Sequence, residues 1–285
     1  MDFRNTKGTR MIKIEILSKD GAVRFGKNDY EENARQMSAE GESFAFIATQ
    51  DLQYDLGDFA RVVVSEPGRH IVAKLDETLD ASLIYLDGTV WEYAFPLSEG
   101  DRASLPQAAF AGKSHYLSVR YAKECEIRQY RNLALNPHDQ KDCGGAYPHA
   151  SANVETRNDS TFFAKNAIDG VLASNSHGSY PYQSWGINRD PEAKLAVDFG
   201  RKVRIDAAGF VLRADFPHDS YWRQVSLRFD DGARHTFQTA KTGALQTFQF
   251  APVITSSAVI EDLIKAGDDS PFPALTQIEL YGTDL

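Results

Sequence analysis

The chain has 285 residues, 42% of them hydrophobic and 25% charged, and 31 basic against 40 acidic side chains leave a formal net charge of −9. At about 100–200 residues per domain, this length suits two domains with full hydrophobic cores and excludes small folds stapled by disulfides or metals. The acidity is even, −5 over residues 1–130 and −4 over 131–285, so neither half carries the clustered Lys and Arg that a nucleic acid or an anionic membrane surface requires.

Two cysteines, Cys125 and Cys143, allow at most one bridge. The opening MDFRNTKGTR is polar and does not read as a signal peptide. No window approaches the roughly 18 apolar residues of a membrane-spanning helix. The expectation is a soluble chain, cytoplasmic by default, with an extracellular site left open. Met11 begins the first strand and could itself be the start, making residues 1–10 a leader.

Alternating apolar and polar residues then recur at 11–17, 43–49, 60–65, 70–75, 82–86, 89–95 and 115–122. This period of two predicts strands. SLIYL-Asp87-Gly88-TVWEYAF predicts a hairpin, because Asp-Gly suits the positive φ angles of a type I′ turn. Residues 25–42 read as a loop or one helical turn. Strands without intervening helices imply a β-sandwich or jelly roll, since a sheet with one apolar face must cover it with another sheet.

After Tyr130 the stretch HDQKDCGGAYPHAS is too polar for a core strand, and the domain boundary falls there, giving 1–130 and 131–285. Further strands follow at 194–200, 202–214, 224–239, 245–252, 257–264 and 276–282, with Asp231-Gly232 marking a second hairpin. In KLAVDFGRKVRID, Leu195, Val197, Phe199, Val203 and Ile205 share one face, which predicts a core side and a wet side. Only FFAKNAIDG, with Phe163, Ala164, Ala167 and Ile168, has the spacing of a short helix. The fold class is all-β, with two β-sandwich domains.

In order along the second half stand NLALNP, YPHASANVET, FFAKNAIDG, QSWG, LAVDFGRKVRID, LRADFPHDSYW, VSLRFDDG and LTQIELYG. Over about 150 residues this series resembles the galactose-binding-like β-sandwich family, the discoidin or coagulation-factor type C domains and related bacterial carbohydrate-binding modules. The resemblance implies an eight-stranded jelly roll, ligands held by loops at one end, and often one structural Ca2+. It would make Asp169 and Glu279 carboxylate ligands, with the carbonyl of Ala167 and the loop at Asn175 completing an oxygen shell, a donor set that Ca2+ accepts. The sequence departs from the family's pattern in the 14 residues between Gly170 and Trp185, longer than is usual, which bears on those loop ligands.

Two loops are rich in groups that bind sugars. Ser174–Arg189 carries His177, Tyr182, Trp185, Asn188 and Arg189; Arg213–Arg223 carries Arg213, Asp215, His218, Asp219 and Trp222. Sugar C–H faces rest on aromatic rings while hydroxyls pair with planar polar groups. Trp222 or Trp185 would be the platform, with Arg213, Asp215 and His218 as hydrogen-bonding partners. Against this stands a structural reading, with Trp185 closing the barrel and Arg213 and Asp215 forming an ion pair.

His149, His177 and His218 fall in loops, but no H-x-H, H-E-x-x-H or C-x-x-C places zinc ligands together. G-x-S-x-G, P-loop and dinucleotide signatures are also missing from the sequence. Asp230-Asp231 reads as part of its turn. The leading expectation is therefore a non-catalytic carbohydrate-binding protein. A protein-interaction scaffold is the alternative, and a carbohydrate-active enzyme with a site between the halves the third.

Overall fold

The computed structural model describes residues 10–142 and 144–285, so the expected leader, apart from its last residue, and any bridge at Cys143 lie outside the described residues. The chain is all-β. In the first half, two antiparallel sheets face each other across one core. The first runs Ser38–Gly41, Ile12–Leu17, Phe59–Val64, Val90–Ala94. The second runs Ala146–Tyr147, which comes from beyond the boundary at 130, then Ser82–Leu86, Arg69–Lys74, His115–Tyr121, Phe44–Thr49. Alternation places Ile12, Ile14 and Ile16 from one sheet against Ile71, Ile84 and Val119 from the other, all fully buried. Each such side chain contributes about 1.5–3 kcal/mol by leaving water.

The hairpin expected at Asp87-Gly88 does not form. Ser82–Leu86 pairs with Arg69–Lys74, whereas Val90–Ala94 crosses to the other sheet and pairs with Phe59–Val64. Ile84 and Leu86, like Trp91 and Tyr93, are buried in one shared core, and two strands can cover that core from opposite sides only by separating. Neither Asp87 nor Gly88 adopts a positive φ, which a type I′ turn demands of both central residues. The free edge beside Leu86 is taken by Ala146–Tyr147 instead. Residues 25–42 form neither a plain loop nor a helical turn: Phe25–Gly26 pairs with Arg35–Gln36, and Ser38–Gly41 extends the first sheet.

The second half is built on two long strands, Leu195–Leu212 and Gln246–Lys265, paired antiparallel and bent at register shifts. Trp222–Phe229 and Arg234–Gln238 extend one side; Ala274–Asp284 and Arg131–Asn132 extend the other. The hairpin at Asp231-Gly232 forms as expected, with Gly232 at φ 85. Leu195, Val197, Phe199, Val203 and Ile205 all face the core, as their spacing predicts, although on one continuous strand. FFAKNAIDG folds into short 3-10 turns at Ser160–Phe162 and Ala164–Ile168.

The halves interlock. His138 enters the first core, where its Nε2 accepts from the Leu75 N–H at 3.2 Å, so Nδ1 carries the proton and donates to Ser82 Oγ at 2.9 Å. Burial, helped by Lys74, pushes this imidazole down to about 3. At the opposite end of the second half, Asp284 receives His70 of the first half at 3.1 Å, together with Arg131 and Arg201. Burial raises the Asp284 carboxyl, but His70 and the two guanidinium groups outweigh it and hold the group below the usual carboxylate range.

Candidate functional site

Three strand ends meet at one end of the second half. Leu195–Leu212 runs out at Arg213, whose N–H donates to the Ala274 carbonyl at 3.1 Å. Ala274 opens Ala274–Asp284 and pairs in register with Gly186 of the short strand Trp185–Gly186. Glycine is required at 186, because a Cβ there would meet Thr156 Oγ1 at 2.7 Å and the Phe162 ring at 3.0 Å. Above these small residues lies a cavity of about 250 Å3.

A buried ion pair forms one wall. Arg213 Nε and Asp215 Oδ1 are 2.7 Å apart with side chains 6% and 2% exposed, a Coulombic contact without a well-directed hydrogen bond. A second Arg213 nitrogen donates to the Phe272 carbonyl, and the other Asp215 oxygen accepts from His177 Nδ1. Burial pulls the Arg213 guanidinium down from its ordinary value, while Asp215 pulls it back up. From His177 the contacts continue edge-on to His218 with ring centres 4.9 Å apart, and from His218 to Phe272 at 5.7 Å. Arg189 lies over the Phe272 ring at 4.5 Å. Asp215 thus fixes two groups on the cavity wall without itself lining it.

Of the expected ligand-binding residues, Arg213, His218 and His177 come together here with Asp215 behind them. The two tryptophans do not serve as platforms. Trp222 is 1% exposed and Trp185 fully buried; their rings pack 6.2 Å apart in the core, and Trp185 Nε1 donates to the Val154 carbonyl at 3.0 Å. Large apolar rings between two sheet faces are drawn inward by the area they remove from water. Tyr182 and Asp219 do not line the cavity; Asp219 pairs with Lys241 at 3.0 Å. His149 lies apart from the other histidines, bonded to buried Asp139 at 2.8 Å. Asp230 is held by Lys202 and Ser256 and plays a structural part at its turn.

The residues implied for calcium have different surroundings. The Asp169 carboxylate accepts from Gln183 Nε2 and the Val171 N–H, both at 2.8 Å, and burial raises it to about 6 against those bonds. The Glu279 carboxylate accepts from the Tyr281 hydroxyl. Ala167 is buried and Asn175 exposed to solvent. N–H donors around Asp169 do not suit Ca2+, which seeks six to eight oxygens. Among the described residues, no group of three or more His, Cys, Asp and Glu is arranged to hold a metal ion.

Sequence reasoning missed Phe272, Arg157 and Thr156. Phe272 did leave a signal: it stands between Pro271 and Pro273, and a residue bracketed by prolines falls in a loop, not in the interior of a sheet.

No protein-family model and no curated protein matches the chain. Solved structures do. A chitosan-binding module of a chitosanase/glucanase from Paenibacillus sp. IK-5 is 17% identical, over 54% of this chain and 100% of its own, with a TM-score of 0.37. The family 32 carbohydrate-binding module of NanJ from C. perfringens, solved with galactose, is 17% identical, over 46% of this chain and 91% of its own, TM-score 0.36. The lectin domain of lectinolysin, solved with Lewis B antigen, is 18% identical, over 53% of this chain and 96% of its own, TM-score 0.39. The structural neighbours are thus carbohydrate-binding modules and lectin domains, similar to about half of the chain. What the site can bind follows from its own side chains.

Proposed function

We propose that the protein is a non-catalytic carbohydrate binder that holds a sugar terminus in the loop cavity of its second half, residues 131–285. The observation that carries this reading is the cavity wall itself. Phe272 and Ile187 offer an apolar surface beside His218 and beside His177 and Arg213, the last two fixed in place by Asp215. Apolar surface with a few pre-positioned polar groups is how small-molecule sites combine grip with orientation. At about 250 Å3 the cavity lies below the roughly 300–1,000 Å3 of drug-sized sites, which suits one sugar unit and not the length of a chain. Calcium has no part in this reading, because the two carboxylates implied for it, Asp169 and Glu279, accept from N–H and O–H donors.

The test is titration of the full chain across a diverse sugar panel. Saturable binding weakened at least tenfold in Phe272→Ala, with the melting temperature unchanged, is the expected result. No binding to any sugar would overturn the reading.

A second reading, an enzyme, is favoured by one observation. A cavity of about 280 Å3 between the halves is lined by Asp80 and Ser104 from the first and Asp139, Lys165 and Asp169 from the second. Turnover of glycosides by the full chain, lost in Lys165→Met at unchanged melting temperature, would move the assignment there.

A further inference from the structure

The charges around the loop cavity are of one sign. Arg157, Arg189 and Arg213 line it with the two histidines, and among the described residues no Asp or Glu does. This is the reverse of the whole chain, in which acids outnumber bases by 40 to 31.

Each arginine also has a partner, Arg213 buried and the other two exposed. Arg157 lies over Phe162 at 5.3 Å and Arg189 over Phe272 at 4.5 Å, each ring being part of the same cavity. A guanidinium over a ring face is attracted by it, and its N–H groups are left to meet a ligand. Arg213 is partnered by Asp215 at 2.7 Å, and Arg157 by Asp159 at 3.3 Å outside the cavity lining. Arg189 has no carboxylate and no side-chain hydrogen-bond partner among the described residues. It follows Asn188 in a turn where both residues have positive φ, 48 and 63, a conformation uncommon for residues other than glycine. The Asn188 N–H is tied to Thr156 Oγ1 at 2.9 Å, both residues lining the cavity.

Hydrogen-bond inventory then narrows the ligand. A neutral sugar presents hydroxyls, each of which donates as well as accepts, so its site needs strong acceptors. The three guanidinium groups supply only donors, and the acceptors left in the lining are the neutral ones of Thr156, Asn188, the imidazoles and the backbone. A carboxylate or a sulfate monoester only accepts, and Arg can bridge two of its oxygens in charge-assisted, bidentate bonds.

Resting on the sugar-binding reading above, we infer that the cavity selects a sugar bearing an anionic oxygen substituent, a carboxylate or a sulfate, with Arg189 as the group that meets it. The test is calorimetric titration of the full chain with glucuronate, galacturonate and galactose 6-sulfate against glucose and galactose, at low and high salt. The expected result is at least tenfold tighter binding of one or more acidic sugars than of the neutral parent. That preference shrinks with added salt, and Arg189→Gln brings the acid down to its parent's affinity at unchanged melting temperature. Equal binding of acid and parent would overturn this inference and leave the sugar-binding reading standing; no binding of any sugar would overturn both. Inorganic sulfate bound as tightly as the acidic sugars would also overturn it, since the sugar ring would then contribute nothing.

Discussion

Strands of the first half are short, Arg69–Lys74 and Ser82–Leu86 being typical, and the ends of these two are closed by chain from the second half: His138 bonds Leu75 and Ser82, and Ala146–Tyr147 covers the edge at Leu86. In the second half the strands run to 18 and 20 residues, and the end of Leu195–Leu212 meets Ala274 and Gly186, where small residues leave space. A closed strand end confers stability; an open one, rimmed by loops with fixed side chains, makes a site. The difference lies in what covers the ends, since both halves bury a full apolar core.

Substitutions can break this contrast at several points. The largest effect is expected from Trp222→Ala, which removes a fully buried ring packed on Trp185 and costs about 3–5 kcal/mol in urea unfolding. A loss of sugar binding with stability intact would instead make Trp222 a surface platform and undo the distinction between core and rim. Asp215→Ala should cost about 3 kcal/mol by leaving Arg213 buried without its partner, and it should abolish binding through His177. If it changed neither, the wall would not depend on the pair.

The closed end has a pH signature. His138 is neutral when folded, down to about 3, whereas an unfolded imidazole binds a proton below about 6.5. The unfolded state therefore takes up more protons between these values, so stability is complete above about 6.5 and falls as the pH drops toward 3. His138→Gln should flatten that slope in denaturant titrations at pH 7 and pH 5. An unaltered slope would place the acid sensitivity elsewhere. The smallest expected effect is none: chelation of metal-replete protein should leave the melting temperature unchanged, and a fall would restore a metal ligated near Asp169.

The strands of both halves were legible because period-two alternation is a local property. Leu195, Val197 and Phe199 declare their face whatever they pack against. The Asp87-Gly88 turn was misread for the same reason: a dipeptide reports which φ angles are accessible to it, not which sheet the following strand joins. In the site, His177, Arg213 and His218 stood out as polar and aromatic loop residues, but residue type could not rank Trp222 below Phe272. A tryptophan in a loop-flanked segment looks the same whether its ring turns toward the core or toward solvent. Arg157 left no signal, since a surface arginine is ordinary until a cavity is found beside it.

By itself, then, the sequence determined an all-β chain with evenly spread acidity and the two segments from which most of the binding wall is drawn, because composition and alternation act over a few residues. Tertiary structure decided which strands share a sheet, which aromatics are buried, and that three arginines of an acidic protein converge on one cavity without a carboxylate among the described residues of its lining. Those outcomes depend on contacts between residues far apart in sequence, such as Thr156 with Asn188 or Gly186 with Ala274, which no local pattern encodes.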